Sequence, residues 1–310
     1  VNDSGEVAAA ARVELVSVSV IVVTYNALPW IEPCLESVRG CELIVVDNGS
    51  SDGTPALVRD RFPEARLIEQ ENRGLGAGWN AGIEAAHGRW LFFLNADAWV
   101  VDDAIAKLVQ VLEREPKAAV AGPRLRYPDG RLQRSVRGFP TLWRLATEYF
   151  FLRKLAPRTR LLNAFYGGGF RHDRELEAEF LMGAALLVRR EAIEQVGGLD
   201  ERFFLFSEEV DWCFRFRQAG WKVIFTPAAE VVHVGGASHA GRLFREQVQG
   251  HLLFLDKHRG ARSASAARRL LATALTLRGL AFRGERGRSY RDTARWLRSG
   301  SLQELLAWWR

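Results

Sequence analysis

A chain of 310 residues, 48% hydrophobic and 26% charged, can close a sizeable core as one large α/β domain or two small ones, which excludes a disordered or fibrous protein. Its three cysteines, Cys34, Cys41 and Cys213, include no C-x-x-C pair, which argues against a disulfide framework or a structural zinc site and for a reducing cytoplasm. Residues 1–11 lack a basic-then-apolar signal pattern, no apolar run reaches the roughly eighteen residues of a membrane span, and the formal charge of +6 is concentrated in residues 256–310, where thirteen Lys/Arg face four Asp/Glu.

Behind a polar tail, residues 1–16, the β-branched run Ser17 to Thr24 predicts a central strand ending at Tyr25-Asn26. A helix is expected over Pro29 to Val38, then a second buried strand over Cys41 to Val46. The turn-rich Asp47 to Gly53 follows, with a helix starting at Thr54-Pro55. A short strand at Ala65 to Glu69 leads through a glycine-rich turn to a helix reaching His87. Leu91 to Leu94 is then an apolar strand that stops at Asn95-Ala96-Asp97. Alternation of strand and helix with short links predicts a parallel sheet with right-handed crossovers. A helix at Asp102 to Glu115, a strand at Ala118 to Gly122, a tight turn at Tyr127 to Gly130 and an extended Arg131 to Val136 come next. Gly138 to Arg174 has no clear period and is expected to be a mobile or inserted segment over a cleft. Order returns with a strand at Phe180 to Val188, helices at Arg190 to Val196 and Glu208 to Ala219, and strands at Trp221 to Phe225 and Glu230 to Val234.

The tail predicts helices: Leu270, Ala274, Leu277 and Ala281 share a face, and Ser301 with Glu304 has capping-box spacing. Such stripes suit packing on the core and docking on an anionic membrane surface equally, the arginine excess and Trp308-Trp309 keeping the second open. Arginines without a recognition motif give no reason to expect nucleic acid. The domain division expected is 1–16 as a tail, 17–255 as the α/β domain (17–122 for a nucleotide, 123–255 for catalysis), and 256–310 as a basic helical extension.

Four polar clusters end predicted strands: Thr24-Tyr25-Asn26, Asp47 to Ser50, Asn95-Ala96-Asp97 and His233. A parallel sheet lines such ends along one edge, where ligands bind. Glycines at 74, 76, 78 and 82 fail the dinucleotide fingerprint because position 79 is Trp, so a Rossmann dehydrogenase is excluded. Taken locally, Asp97 also serves as a helix cap, Asp47 to Asp52 as a turn, and Ser207-Glu208-Glu209 as a charge-complemented first turn.

The ordered motifs T-Y-N, D-N-G-S-S-D-G-T, E-N-R-G-L-G-A-G-W-N-A-G, F-L-N-A-D, F-F-L-F-S-E-E-V-D-W-C-F-R-F-R-Q-A-G-W and V-V-H-V-G-G-A-S resemble those of family 2 glycosyltransferases of the GT-A fold. The subgroup they most resemble is the rhamnosyltransferases of bacterial cell-surface polysaccharide assembly. The resemblance covers about Val18 to Ser238. It implies inverting transfer of a sugar from a dTDP or UDP donor to a hydroxyl of a glycan or polyprenyl-diphosphate-linked acceptor, assisted by Mg2+ or Mn2+.

By the same resemblance Asp97 and His233 would hold the metal. N-A-D stands where many relatives show D-x-D, so Asn95 replaces a first carboxylate. Glu209 takes the place of the general base, with Glu208 as second choice and Asp211 orienting neighbours or the acceptor. Thr24, Tyr25, Asn26, Asp47, Gly49, Asn72, Arg73, Gly74, Asn80, Asn95, Ala96 and Asp97 match the donor site. Met182, Gly183 and Trp212 are expected at the acceptor. A cytoplasmic enzyme peripheral to the inner face of the membrane follows, with the oligomeric state open. The missing first carboxylate also suits a sugar-nucleotide-binding assembly protein with degraded catalysis, and a nucleotidyltransferase would share the sheet.

Overall fold

The computed structural model describes residues 17–235 and 244–307. The N-terminal tail, positions 236–238 of the last motif and the Trp308-Trp309 pair lie outside the described residues. In chain order the first half comprises β1 (Val18–Thr24), α1 (Ile31–Glu36), β2 (Glu42–Asp47), α2 (Thr54–Arg61), β3 (Arg66–Glu69), α3 (Leu75–Ala85), β4 (Trp90–Asn95), β5 (Ala98–Val101), α4 (Ala104–Arg114) and β6 (Ala118–Arg126). The middle holds the short strands β7 (Leu132–Gln133) and β8 (Val136–Arg137), the helices α5 (Leu142–Tyr149) and α6 (Arg160–Asn163), β9 (Leu176–Glu177), β10 (Phe180–Leu181) and β11 (Ala185–Arg189). Then come α7 (Arg190–Val196), α8 (Glu208–Gln218) and β12 (Lys222–His233), followed by α9 (Phe244–Arg259), α10 (Ala261–Ala281), α11 (Gly284–Arg298) and α12 (Leu302–Leu306).

The main sheet runs β3-β2-β1-β4-β11-β6-β12-β5. From β3 to β4 every pair is parallel, as the strand-helix alternation requires. The strand order reverses at β1, so its C-terminal edge between β1 and β4 opens the crevice where an α/β sheet takes its ligand. Beyond β4 the sheet is mixed: β11 is antiparallel to both β4 and β6, and β5 is antiparallel to β12. The parallel sheet expected from the sequence is therefore mostly parallel, because β11 returns through the short β10 rather than through a crossover helix.

Both faces are buried, which explains the unbroken apolar strands. Val18, Val20 and Val22 of β1 pack with Phe92 and Leu94 of β4 under α1, α2 and α4. Ile21 and Val23 pack on the other face with Phe93, Trp79 of α3 and Trp212 of α8. α3 lies close to the sheet because Gly82 has no Cβ: one placed there would overlap Ile21 Cγ2.

Several boundaries moved. Phe180 to Val188 is two strands broken at Met182-Gly183-Ala184, and the two strands expected at Trp221 to Val234 are one, carried across a register shift between Thr226 and Glu230. Gly138 to Arg174 contains α5 and α6, elements too short for a periodicity to show. It packs on the tail: Arg278 Nε donates to Tyr149 O at 2.7 Å and its guanidinium carbon lies 3.8 Å from the Phe151 ring centroid.

The tail helices join the Trp79–Phe93 face of the core, and position 255/256 falls within α9. The inward face of α10 is Ala264, Ala267, Leu271, Ala274, Leu275 and Arg278, not the stripe through Leu277 and Ala281. The helix is rotated so that Arg278 reaches the Glu148 and Tyr149 carbonyls, leaving Leu277 exposed. The Ser301–Glu304 capping box is present, and α12 is tied down by Gln249 Nε2 donating to Leu305 O and Leu306 O. No described helix is long and apolar enough to cross a membrane.

Gly82→Ala is expected to destabilise the fold by ~1–3 kcal/mol, the range for overpacking a filled core, read as a lower urea midpoint with unchanged m-value.

Candidate functional site

The donor side is built from two loops at the ends of neighbouring parallel strands, with Thr24 aligned on Asp47. The Asp47 carboxylate accepts from Gly49 N (3.1 Å), Ser50 N (2.8 Å) and Ser50 Oγ (2.5 Å), so it shapes its own loop while Oδ1 keeps room for a further donor. The facing loop is stitched to it. Asn26 N donates to Ser50 Oγ at 2.8 Å, Asn26 Oδ1 accepts from Ser51 N at 2.8 Å, and Leu28 N donates to Asp52 Oδ2 at 2.9 Å. Asn26 sits at φ +51°, a left-handed conformation that asparagine tolerates. Tyr25 is exposed at the rim, whereas Thr24 is buried and its hydroxyl has no partner among the described residues.

On the third loop Asn72 Oδ1 accepts from Gly74 N at 3.1 Å, and Asn48 Nδ2 donates to Gly74 O at 3.1 Å. Arg73 stays largely exposed, 3.7 Å from Glu201. Asn80 does not face a donor. Its amide donates to Leu199 O and Glu201 Oε1 and accepts from Leu199 N, so its hydrogen-bonding capacity is spent on joining α3 to the segment before α8.

The second group lies past β4. Antiparallel pairing of β5 with β12 sets His233 opposite Ala98, one residue after Asp97. Asp97 Oδ1 is 3.3 Å from His233 Nε2, Asp97 Oδ2 accepts from Gly235 N at 3.1 Å, and Asn95 Nδ2 is 3.3 Å from the same imidazole nitrogen. His233 Nδ1 lies 2.8 Å from Gln133 Oε1, which can only accept, so Nδ1 carries the hydrogen and Nε2 points its lone-pair direction at Asp97. There the lone pair can accept from Asn95 Nδ2 or bind a cation shared with the Asp97 carboxylate. Burial opposes ionisation of Asp97, but the hydrogen bond and charge of His233 and the Gly235 N–H outweigh it and hold the carboxyl below its ordinary range. A carboxylate oxygen and an imidazole nitrogen 3.3 Å apart match two adjacent ligands of one divalent ion with bonds of ~2.1 Å. Among the described residues no group of three His, Cys, Asp or Glu side chains could hold a metal, so such an ion would need oxygens from elsewhere, as a diphosphate supplies.

The third group opens α8. Phe206 and Ser207 both adopt left-handed φ, +68° and +74°, conformations non-glycine residues hold only where the surroundings impose them. α9 imposes them here: it presents Gly250, where a Cβ would come within 2.7 Å of Ser207 Oγ. Glu208 is buried and Glu209 half-buried, and Oε2 of each lacks a partner among the described residues. Burial, with the Glu209 charge added, raises the Glu208 carboxyl well above its ordinary range. Burial also raises Glu209, offset in part by the Arg137 charge and by backbone N–H groups including that of Gly183. A carboxylate raised in this way is a stronger proton acceptor than an ordinary one. Asp211 is different. It is fully buried, neutralised by Arg215 Nε (2.8 Å) and Lys257 Nζ (2.7 Å) and contacted by His258 Nε2 (2.7 Å), so it ties helices together.

One loop joins the second group to the third. Ala184 O accepts from Asn95 N at 3.0 Å, while the N–H of neighbouring Gly183 reaches the Glu209 carboxylate. Met182 lies there too, its Sδ 3.5 Å from Arg137 Nη2. Trp212 leaves the acceptor group: it is fully buried, donates from Nε1 to Gly197 O at 3.0 Å and packs edge-on to Phe93, so it offers no face to a sugar. Sequence reasoning missed Arg137, Gln133, Lys257 and His258. No motif marks Arg137 or Gln133, whose short strands fall between recognised patterns. Lys257 and His258 read as ordinary basic residues at the end of a helix.

The family model described as "Glycosyl transferase family 2" matches residues 19–197. The N-acetylglucosaminyl-diphospho-decaprenol L-rhamnosyltransferase of Mycobacterium tuberculosis is 33% identical over 266 residues, 78% of this chain and 85% of that protein. Among solved structures, GalNAc-T7 with UDP, GalNAc and Mn2+ superposes with a TM-score of 0.58 at 15% identity, covering 94% of this chain and 56% of that one. The mannosyltransferase PcManGT of Pyrobaculum calidifontis, with GDP-Man and Mn2+, gives 0.53 at 19% identity, covering 94% and 84%. Both likenesses place the chain in the GT-A fold.

Because burial raises the folded-state pKa of Glu208, the folded chain keeps a proton that the unfolded chain releases above pH ~4.3. Stability from this group is complete below that pH and lost as pH rises. Glu208→Gln is thus expected to raise the melting temperature at pH 8 and to leave it nearly unchanged at pH 4; an equal shift at both would contradict the buried, elevated carboxyl.

Proposed function

The chain belongs to glycosyl transferase family 2, and from that premise we propose that it transfers an L-rhamnosyl group, with inversion, from dTDP-rhamnose to a hydroxyl of a polyprenyl-diphosphate-linked sugar. The observation that carries the chemistry is the pairing of two unlike sites across the Gly183-Ala184 loop, an Asp97–His233 pair on one side and an elevated, partly unpartnered Glu209 on the other. The sugar and the lipid-linked acceptor follow the mycobacterial relative, whose name states both.

In this reading Tyr25 and the backbone around Asn26 lie along the base, and Asp47 Oδ1 accepts a hydrogen bond from it. Asn72, Gly74 and Arg73 close over the diphosphate, where a guanidinium pairs with phosphate oxygens. Asp97 and His233 would hold a divalent cation, Mg2+ or Mn2+, which would supply charge neutralisation for the departing diphosphate. Glu209 takes the proton of the acceptor hydroxyl as that oxygen bonds to the sugar's anomeric carbon and the bond from that carbon to the diphosphate breaks. Attack from the face opposite the leaving group inverts the centre. Glu208 lies next to Glu209, and its burial together with the Glu209 charge favours its protonated form. Asn95, uncharged, supports His233 through its amide without adding a carboxylate.

Glu209→Gln is expected to lower transfer by roughly 10²–10⁴-fold while dTDP-rhamnose still raises the melting temperature as it does for the parent chain. Transfer at the parent rate would remove Glu209 as the base, and no stabilisation of either chain by dTDP-rhamnose would remove the proposed donor. Gln133→Leu, which takes the acceptor from His233 Nδ1, is expected to weaken Mn2+ binding measured by calorimetry by roughly 10-fold or more, the effect typical of losing a partner that orients a ligand.

A further inference from the structure

Among the described residues eight large apolar side chains are exposed, and six of them lie on two segments that pack on each other, α5 to α6 and the end of α10. The four with the highest exposure all belong there: Leu155 (78%), Leu280 (76%), Leu161 (69%) and Leu277 (53%). The segments are fixed together by Arg278, which donates to Glu148 O and Tyr149 O and lies over the Phe151 ring, with Phe151 5.8 Å from Phe282. Leu277 and Leu280 flank that arginine on the outer face of α10, and Leu155 follows Phe151 by one turn of chain. Trp143 adds to the surface, its indole Nε1 donating to Leu161 O at 2.8 Å, so Trp143 and Leu161 are neighbours there. An apolar group of this kind, exposed beside a helix interface, marks a surface that meets something other than water.

The charge around it identifies what. Toward its N-terminus the outer face of α10 becomes a groove of about 570 Å³ shared with α11 and lined by Arg268, Arg269 and Arg298 with Ser265 and Thr273. Arg269 is exposed on the same side of the helix as Thr273 and Leu277. Arg268 and Arg298 are held in the groove by carbonyl contacts, Arg268 Nε to Leu297 O at 2.5 Å and Arg298 Nη2 to Ala272 O at 3.3 Å. Lys154 and Arg158 stand on the other segment between Phe151 and Leu161, both exposed. Among the described residues no acidic side chain lines the groove. Exposed leucines and a tryptophan next to basic residues are the composition of a surface that enters the headgroup region of an anionic bilayer, with the apolar side chains inserted and arginines on lipid phosphates.

We propose that the outer face of α10 together with residues 142–161 is the membrane-seating surface of this protein, and that its partner is an anionic lipid bilayer. The surface includes Leu277 of the stripe that the tail's periodicity suggests, because α10 turns its Leu271, Leu275 and Arg278 side toward the core. Its placement has a functional side. The segment begins just after Arg137, whose charge acts on Glu209 and whose Nη2 contacts Met182, so a bilayer under Leu155 and Leu161 sits against the acceptor side of the cleft. The inference rests on exposure and charge and does not depend on which sugar is transferred.

The test is flotation of the full chain with vesicles of phosphatidylcholine alone or with 30 to 40% phosphatidylglycerol, a content of roughly physiological order for anionic membranes. The parent chain is expected to float with the anionic vesicles and to be released by salt. Leu277→Glu/Leu280→Glu and Leu155→Glu/Leu161→Glu are each expected to weaken binding by at least roughly tenfold, since leucine insertion is lost and charge repulsion added. Arg269→Glu is expected to weaken it by roughly fivefold or more. All these side chains are exposed, so unchanged melting temperatures confirm that the variants fold. Failure of the parent chain to float, or flotation unaffected by all three variants, overturns the proposal. So does sedimentation equilibrium showing a dimer that Leu277→Glu/Leu280→Glu dissociates while no form binds vesicles, since the face would then belong to a second copy.

Discussion

A carboxylate with no exposed surface must be neutralised where it stands, and Asp211 in the first turn of α8 imposes that requirement on everything around it. One partner, Arg215, comes from its own helix. The others, Lys257 and His258, come from the far end of α9, and Lys257 also holds Asp200 at 2.7 Å. Removing one member of such a set leaves a buried charge uncompensated, typically at ~3–5 kcal/mol. α9 is therefore locked against α8, and its Gly250 presses on Ser207 just before Glu208 and Glu209. This contact holds the left-handed backbone at Phe206 and Ser207. Through this one carboxylate the first helix after β12 becomes part of the frame around α8 rather than an appendage.

The opposite half works by a different economy. Its loops carry few buried charges and are held by short side-chain-to-backbone hydrogen bonds between neighbouring strand ends, Asp47 to Ser50, Asn26 to Ser51, Asp52 to Leu28. Such contacts fix backbone N–H groups and leave one carboxylate oxygen and one aromatic face open. The result is a rigid rim with a few open positions. Around α8, by contrast, carboxylates are kept away from water.

The parallel half of the fold was legible because its strands are buried on both faces and its turns are written in Asn, Asp and Gly. The clusters at Asp47, Asp97, His233 and Glu209 were legible for the same reason, since each stops an apolar run or opens a helix. What the sequence hid was of two kinds. Side chains such as Trp212, Asn80 and Asp211 belong to recognisable motifs but are turned inward, and residue type does not encode direction. Arg137, Gln133 and the outer face of α10 act through contacts between elements distant in sequence, which no local pattern records. The rotation of α10 is the clearest instance: both faces carry leucines, and a single arginine with two carbonyl partners decides which one is covered.

The Met182-Gly183-Ala184 loop separates β10 from β11 and touches two polar groups by main chain, the Asn95 amide at Ala184 and the Glu209 carboxylate at Gly183. Adjacent residues of a trans chain stand ~3.8 Å apart, a distance no side chain can alter. The spacing of these two attachment points is thus set by the peptide chain, and replacing side chains along the loop leaves it unchanged.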